Sequence, residues 1–563
     1  MEQAQSDLVD PTDISLQPTH VFPIFREPPS RPRVLDVLRR YQGMLIGGLL
    51  FFAALGFDLY HLGTPSIWFD EAFSVELARQ PLPLLWHVIF GPEPNMEFYY
   101  LILHFWLQVT GAMGMIPTEF LVRLPSAIFA ALSTLVLFFL GRRFLGPWAG
   151  TVAAGLYLLN DVQLVYAQQT RAYSLQLLLL CLAWYALFAA CTVETRDKRW
   201  WLWYVLFTTL ALYTQLFSAL VIVAQVVALI GLMLVPNAWR AQLRKRFFAF
   251  VVSLLISGIL SIPMAVVSRH GSKTGWMHVP HLSTILSVFL DFSARSTIYL
   301  LLLLLLCSLG LLVALLASAS PISGINRVFL VNASKSEGKR ARQQLPVILA
   351  CLCWLILPVI LSFIISQGPT RMFSSRYLVV VVPPLCLLVG SGVATIRLRA
   401  GKLVLGLAII ALALHYTPLY YQSAQVENWS TPTFWLVQRY QPGDGLVCYT
   451  NVQGCQTSVQ YYLTRYQSPA TFDADSPGAF SWENDGPINP VAGNDAAVNP
   501  AALAVYGAHH PRLFFIAARL SGQADALKAQ TAEKWLDSHY HLVAQIVTPA
   551  ITIRLYATGA PSS

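Results

Sequence analysis

The stretch Ile67-Trp68-Phe69-Asp70-Glu71-Ala72-Phe73-Ser74 follows directly on the first long apolar run of the chain, near residues 43–60. Carboxylates beside a bilayer are costly to desolvate, so an adjacent pair there points to function before it points to packing. A solvated loop with a helix-capping aspartate is the plain alternative. The chain around the pair decides between them.

About 20 apolar residues are needed to cross hydrocarbon. Eleven segments reach or approach that length, near 43–60, 120–140, 147–165, 172–192, 200–214, 216–235, 247–267, 296–317, 346–366, 377–396 and 402–418. Asn160-Asp161 and Pro263 interrupt two of them. Of 563 residues, 56% are hydrophobic and only 12% charged, half the charge of a soluble domain. A polytopic α-helical membrane protein is expected. Residues 1–42, rich in proline and free of a signal-peptide pattern, are expected to form a disordered cytoplasmic tail.

The net charge of +9 is topological rather than a sign of a nucleic-acid partner. Basic residues gather in alternate loops, at Arg39-Arg40, at Arg142-Arg143, at Arg196 to Arg199, at Arg240 to Arg246, at Lys335 to Arg342, and at Arg397 to Lys402. Basic loops stay inside. That rule places the N-terminus in the cytoplasm, the Asp70-Glu71 loop outside and, after eleven spans, the C-terminus outside.

Residues 61–118 are too long for a hairpin and too apolar for a solvated loop. Short helices lying in the interface plane fit the pieces 82–90 and 98–109, with Trp68, Trp86, Tyr99, Tyr100 and Trp106 as interfacial anchors. From residue 419 the hydrophobic runs shorten. Strands are expected at 446–449, 513–517 and 551–556, helices at 433–440 and 531–538, and a long loop at 473–499. Residues 419–563 therefore read as a small extracytoplasmic α/β domain. Six of the eight cysteines lie in apolar spans, whereas Cys448 and Cys455 fall in this outer domain, where a disulfide is open but not fixed by spacing.

Four segments in order, with Arg123-Leu124-Pro125-Ser126 as a fifth and weaker match, give the chain a family resemblance. The four are the Asp-Glu loop, Asn95-Met96-Glu97-Phe98-Tyr99-Tyr100, Tyr166-Ala167-Gln168-Gln169-Thr170-Arg171-Ala172-Tyr173, and Arg371-Met372-Phe373-Ser374-Ser375-Arg376-Tyr377 before Pro383-Pro384. The set resembles the GT-C glycosyltransferases of family 39, which include protein O-mannosyltransferases and lipid A aminoarabinose transferases. The resemblance implies a GT-C-like catalytic domain over 43–418, with the outer loop 61–118 bearing the site. Relatives often carry His-Pro-Pro-Leu-Tyr-Tyr at 95–100, and Gln-Glu where this chain has Gln168-Gln169. Asp161 would supply the missing carboxylate or cap a broken span.

As the resemblance implies, the donor is a sugar on a polyprenyl phosphate and the acceptor a protein, lipid or glycan. An acceptor hydroxyl needs a carboxylate to take its proton, and Asp70 is the expected base. Glu71 is expected to orient the acceptor or bind sugar hydroxyls. Arg171, Arg371 and Arg376 are expected on the leaving lipid phosphate, because guanidinium forks match its oxygens. Asn95, Glu97, Tyr99, Tyr100, Asp161, Gln169 and Tyr173 complete the expected lining, with a surface position the simpler reading for Glu97. His270, His278 and His281 match no firm zinc pattern; no cofactor is firmly implied, and a divalent metal stays open without sequence support. A bacterial plasma membrane fits the compact loops. A transporter and a multi-span polysaccharide polymerase or ligase are the rival classes. The first would need matching broken helices in two halves, the second a large late loop bearing the arginines.

Overall fold

The computed structural model describes residues 34–91, 93, 95–192, 198–268, 274, 277–318, 335–450, 455–484, 494–518, 520 and 523–559. The proline-rich opening segment, His270 and Trp276 lie outside these residues. The chain divides into two compact units, Met1–Leu45, which holds the first turns of α1 (Val34–Leu59), and Ile46–Ser563, which holds the rest.

Among the described residues, seven helices are long and apolar enough to cross a membrane. Six follow α1: α5 (Glu119–Phe144), α8 (Tyr173–Thr192), α14 (Thr297–Ser318), α15 (Lys335–Ile365), the run from α16 (Ser375–Leu378) to α17 (Val382–Thr395), and α18 (Arg399–Ser423). The other four expected segments are also helical, but each departs from a full span. Asn160 caps α7 (Asp161–Ala167) by accepting from Gln163 N and so separates it from α6 (Pro147–Leu158). Helices α9 (Arg199–Thr214) and α10 (Ser218–Leu234) have 16 and 17 residues. α11 (Arg240–Leu260) opens with a basic turn and gives way at Ser261, ahead of Pro263, to α12 (Ile262–Val267). A short α13 (Leu282–Asp291) precedes α14.

Small residues let the helices approach. A Cβ on Gly150 would lie 2.6 Å from Phe138 O, so α5 and α6 could not pack this closely with any side chain there. Deeper in the bundle, Trp184 of α8 stacks on Trp354 of α15 with centroids 5.1 Å apart. Thr118 starts α5 by accepting from Leu121 N, and Arg142 and Arg143 end it, which suits the helix dipole at both ends.

Between α1 and α5 lie α2 (Phe69–Ala78), α3 (Leu82–Ile89) and α4 (Glu97–Ala112). α3 and α4 keep exposed apolar side chains, among them Trp86, Phe105 and Val109, as helices at a lipid interface should. α2 does not. Every residue from Glu71 to Ala78 is buried, because the C-terminal region covers the helix. Tyr99 and Tyr100 are likewise fully buried, not interfacial anchors.

The C-terminal region starts beyond α18 with α19 (Ser430–Val437), β1 (Gly445–Thr450) and α20 (Cys455–Arg465), followed by α21 (Pro500–Ala508), β2 (Arg512–Ala518), α22 (Gln523–His539), β3 (His541–Val547) and β4 (Ile551–Ala557). The sheet order is β1-β2-β4-β3; β1 runs parallel to β2, and the other pairs are antiparallel. β1 is buried along its whole length, as a strand covered on both faces should be. The edge strand β3 and helix α20 were not expected from the sequence. A Cys448–Cys455 disulfide, with Cα atoms 5.8 Å apart, ties β1 to the start of α20.

α20 fastens this region to the acidic loop. Tyr462 Oη accepts from Ile67 N at 2.8 Å and shares a hydrogen bond with Ser66 Oγ at 2.8 Å. Glu427 accepts from Phe69 N at 3.1 Å and from Trp429 Nε1 at 2.7 Å. Tyr461 donates to Pro117 O at 2.9 Å. Loop and sheet therefore share one face of the protein.

Candidate active site

Asp70 and Glu71 occupy the first turn of α2, where the helix dipole favours negative charge. Successive helical residues face different directions, so neighbours in sequence need not share a site. Here they do not. Glu71 is fully buried and takes both prongs of Arg123, Nε to Oε1 at 2.8 Å and Nη2 to Oε2 at 2.7 Å. Thr170 N donates to Oε1 at 2.8 Å. Arg123 also donates to the carbonyls of Leu62, Pro65 and Ser66 at 3.0, 2.8 and 3.2 Å. Instead of standing beside the Asp70 carboxylate, the Glu71 oxygens are engaged in joining the loop to α5 and to the segment before Arg171.

Asp70 keeps its carboxylate at a cavity wall between two guanidiniums. Oδ2 lies 3.5 Å from Arg376 Nη1 and 3.9 Å from Arg171 Nη2. Arg171 is buried and held by Asp70 O and Ser74 Oγ, each at 3.1 Å. Burial acts against its charge, and the Asp70 carboxylate helps to more than offset that penalty. Arg376 Nη1 approaches the same carboxylate from the start of α16.

Three adjoining cavities share these residues. One of about 190 Å³ is lined by Trp68, Asp70, Tyr166, Gln169, Tyr173 and Arg376, with Val165 and Val426. Arg376 also lines a second, about 310 Å³, whose walls are Met277, His278, Val279, Pro280, Thr284, Phe373 and Ser374. Trp68, Val165, Gln169 and Val426 lead into a third of about 110 Å³, which reaches Glu71, Arg123, Gln168 and Tyr420. Tyr173 packs on Tyr166 at 4.4 Å between centroids and gives the first cavity an aromatic wall.

The remaining expected residues are dispersed. Arg371 donates to Met277 O at 2.6 Å and its amide to Thr274 Oγ1 at 3.2 Å, which directs it to those two residues and not to Asp70. Glu97 is buried, not on the surface, and neither carboxylate oxygen has a hydrogen-bond partner among the described residues. Burial pushes its carboxyl up to about 8, with the Glu93 charge adding to the shift. Asn95 Oδ1 is likewise buried without a partner among those residues. Tyr99 Oη lies 3.2 Å from Ser126 Oγ. Tyr100 is buried with its hydroxyl near Arg171 and Ser74, and burial raises its pKa above the ordinary tyrosine value. Asp161 begins α7, but the cap is Asn160, whose amide also donates to Phe292 O at 2.8 Å. His278 lines the second cavity and His281 starts α13. No group of three His, Cys, Asp or Glu side chains suited to a metal occurs among the described residues.

Sequence reading did not assign site roles to Arg123 or Ser74. For Arg123 a signal was present: an arginine one turn inside an apolar helix must find a carboxylate, and Glu71 is the one it holds. Trp68 read as an interfacial anchor because its indole lies beside the first span.

Residues 101–266 match the family described as dolichyl-phosphate-mannose-protein mannosyltransferase. No curated protein matches the chain significantly by sequence. Among solved structures, ArnT from Cupriavidus metallidurans in the apo state aligns with a TM-score of 0.57 at 13% identity, over 92% of this chain and 99% of that one. ArnT bound to undecaprenyl phosphate aligns at 0.53 and 14%, over 91% and 98%. The oligosaccharyltransferase AglB from Archaeoglobus fulgidus, with an inhibitory peptide and a dolichol-phosphate, aligns at 0.50 and 11%, over 93% and 75%.

Proposed function

From the GT-C membrane fold that the chain shares with these structures, we propose that it is a membrane glycosyltransferase that uses a polyprenyl-phosphate sugar. The observation that carries the reading is Asp70 Oδ2 between Arg376 and Arg171 at a cavity wall. The undecaprenyl phosphate and dolichol-phosphate in two of the similar structures support a lipid-phosphate donor here.

In this reading the carboxylate occupies, in the ligand-free protein, the place that the donor phosphate shares once bound. The phosphate draws the two guanidiniums, and Asp70 becomes free to accept a hydrogen bond from the acceptor hydroxyl. The acceptor oxygen bonds to the anomeric carbon while its proton passes to Asp70. The bond from that carbon to the phosphate oxygen breaks, and its electron pair stays on the phosphate, where Arg376 and Arg171 stabilise the charge. Attack opposite the leaving group inverts the anomeric centre. The second cavity, with Met277, Val279, Pro280 and Phe373 beside Arg376, suits the first isoprene units of the lipid.

The disulfide in the region covering the Asp70 loop supports an oxidising, extracytoplasmic location for this face. Incubating the purified protein with polyprenyl-phosphate sugars and measuring free polyprenyl phosphate tests the reading. No release from any such donor, with and without candidate acceptor proteins, lipids and glycans, overturns it.

A further inference from the structure

The cavity beside Asp70 and the chamber beyond Trp68 and Gln169 form one recess with a charged end and a neutral end. Every charged side chain in its wall faces an opposite charge. Asp70 faces Arg376 at 3.5 Å, and Glu71 is locked to Arg123 at 2.7 Å. The inner chamber adds no other charge, and its amide and hydroxyls are largely engaged. Gln168 donates to Asp58 O and Tyr60 O and accepts from Tyr420, while Ser66 Oγ accepts from Trp429 N and Ser430 N.

Two buried polar atoms at the junction stand out. Trp68 Nε1, a donor, and Gln169 Oε1, an acceptor, have no hydrogen-bond partner among the described residues. A buried polar atom left unpaired costs about 1–3 kcal/mol, so both atoms need a partner when water is excluded. An ammonium could satisfy only the acceptor and a carboxylate only the donor. A hydroxyl serves both. The indole and the Tyr420 ring add the apolar surface that the C–H face of a sugar ring needs.

We infer that the recess beyond Trp68 and Gln169 receives the ring of the donor sugar, and that this sugar is uncharged, a neutral pentose or hexose rather than an amino sugar or a uronate. The inference rests on the glycosyltransferase reading. With the phosphate at Arg376, the ring one bond away falls in the adjoining space toward Trp68. Burying a charged ring there would leave its charge without a counter-ion, since Glu71 and Arg123 hold each other, Arg376 is taken by the donor phosphate and Asp70 is turned to the acceptor hydroxyl.

The test uses the full-length protein in detergent or nanodiscs with three donors on one prenyl chain, carrying a neutral hexose, an amino pentose and a hexuronate. Release of polyprenyl phosphate is measured for each. The neutral donor should exceed both charged ones in kcat/KM by at least about tenfold. Gln169→Glu should shift the ratio of amino pentose to neutral hexose upward by about tenfold, through a new counter-ion. Trp68→Phe, which keeps an aromatic face but removes the indole N–H together with its five-membered ring, should raise KM for the neutral donor while folding is kept. Preference for either charged donor, or equal use of all three, overturns the inference and leaves the glycosyltransferase reading standing. Release from none of them overturns both.

Discussion

Arg123 closes on Glu71 with two parallel hydrogen bonds of 2.8 and 2.7 Å, and both side chains are almost wholly removed from solvent. Breaking a buried pair from one side leaves an uncompensated charge and costs about 3–5 kcal/mol. Glu71→Gln should therefore lower stability and yield, as should Arg123→Met. Thermal unfolding in detergent measures this. A Glu71→Gln protein that melts normally but fails in turnover would return Glu71 to a direct part in the chemistry.

The partner residue in sequence should behave in the opposite way. Asp70→Asn keeps the shape of the side chain and removes the proton acceptor. It also removes the charge facing Arg171 and Arg376, but this pair is partly open to solvent, so melting should fall less than in the Glu71 variant. Loss of a general base costs about 10²–10⁴ in rate. The measurement is sugar transfer, or polyprenyl phosphate release, under saturating donor. Near-normal transfer by the Asp70 variant would remove it from the proposed role.

The two arginines on Asp70 should separate by the kind of damage they cause. Arg376 is partly exposed and lines two cavities, so Arg376→Lys should fold normally and lose about 10²-fold in turnover with the planar fork. Arg171 also holds Asp70 O and Ser74 Oγ, so Arg171→Ala should lose stability as well as activity. Parallel melting and donor-release assays distinguish them. Equal and normal turnover in both variants would remove the arginines from the phosphate site.

Much of this site was legible because desolvation leaves few choices. Apolar runs set the long helices, and charged residues that survive beside them, Asp70, Arg171 and Arg376, converge in space. Sequence adjacency misled for Glu71, since the helical turn that begins at Phe69 rotates it away from Asp70 toward Arg123. Arg371 and Arg376 looked equivalent in one motif, yet only Arg376 reaches the carboxylate, because the start of α16 carries it there. The edge strand β3 was missed because its His541 and Gln545 give little apolar signal, and its pairing with β4 is a long-range fact. The burial of α2 was missed for the same reason: its cover, α20, lies nearly four hundred residues away in sequence.

That cover makes Tyr462 a positioning residue for the acidic loop. Its hydroxyl accepts from Ile67 N and meets Ser66 Oγ, so Tyr462→Phe leaves a buried amide unpaired at a cost of about 1–3 kcal/mol. The variant should show a lower kcat with donor KM little changed, because the loop bearing Asp70 loosens while Arg376 stays in place. Tyr462→Phe with the parent kcat would mean that the C-terminal region merely rests on the loop.

Glu97 gives the protein a stability limit on the alkaline side. Its folded carboxyl lies at about 8 against an ordinary value of 4.5, raised first by burial. For an acid with a raised folded value, the unfolded chain gives up its proton first, so the folded state binds more protons between the two values. Stability from this group is fully present below pH 4.5 and is lost progressively as pH rises through 8. Melting temperature should therefore decline from mildly acidic toward alkaline pH. Glu97→Gln mimics the protonated carboxyl and should flatten that decline without a large loss of activity at neutral pH. An unchanged pH profile in the Gln variant would show that Glu97 is charged in the folded protein, with a partner beyond the described residues.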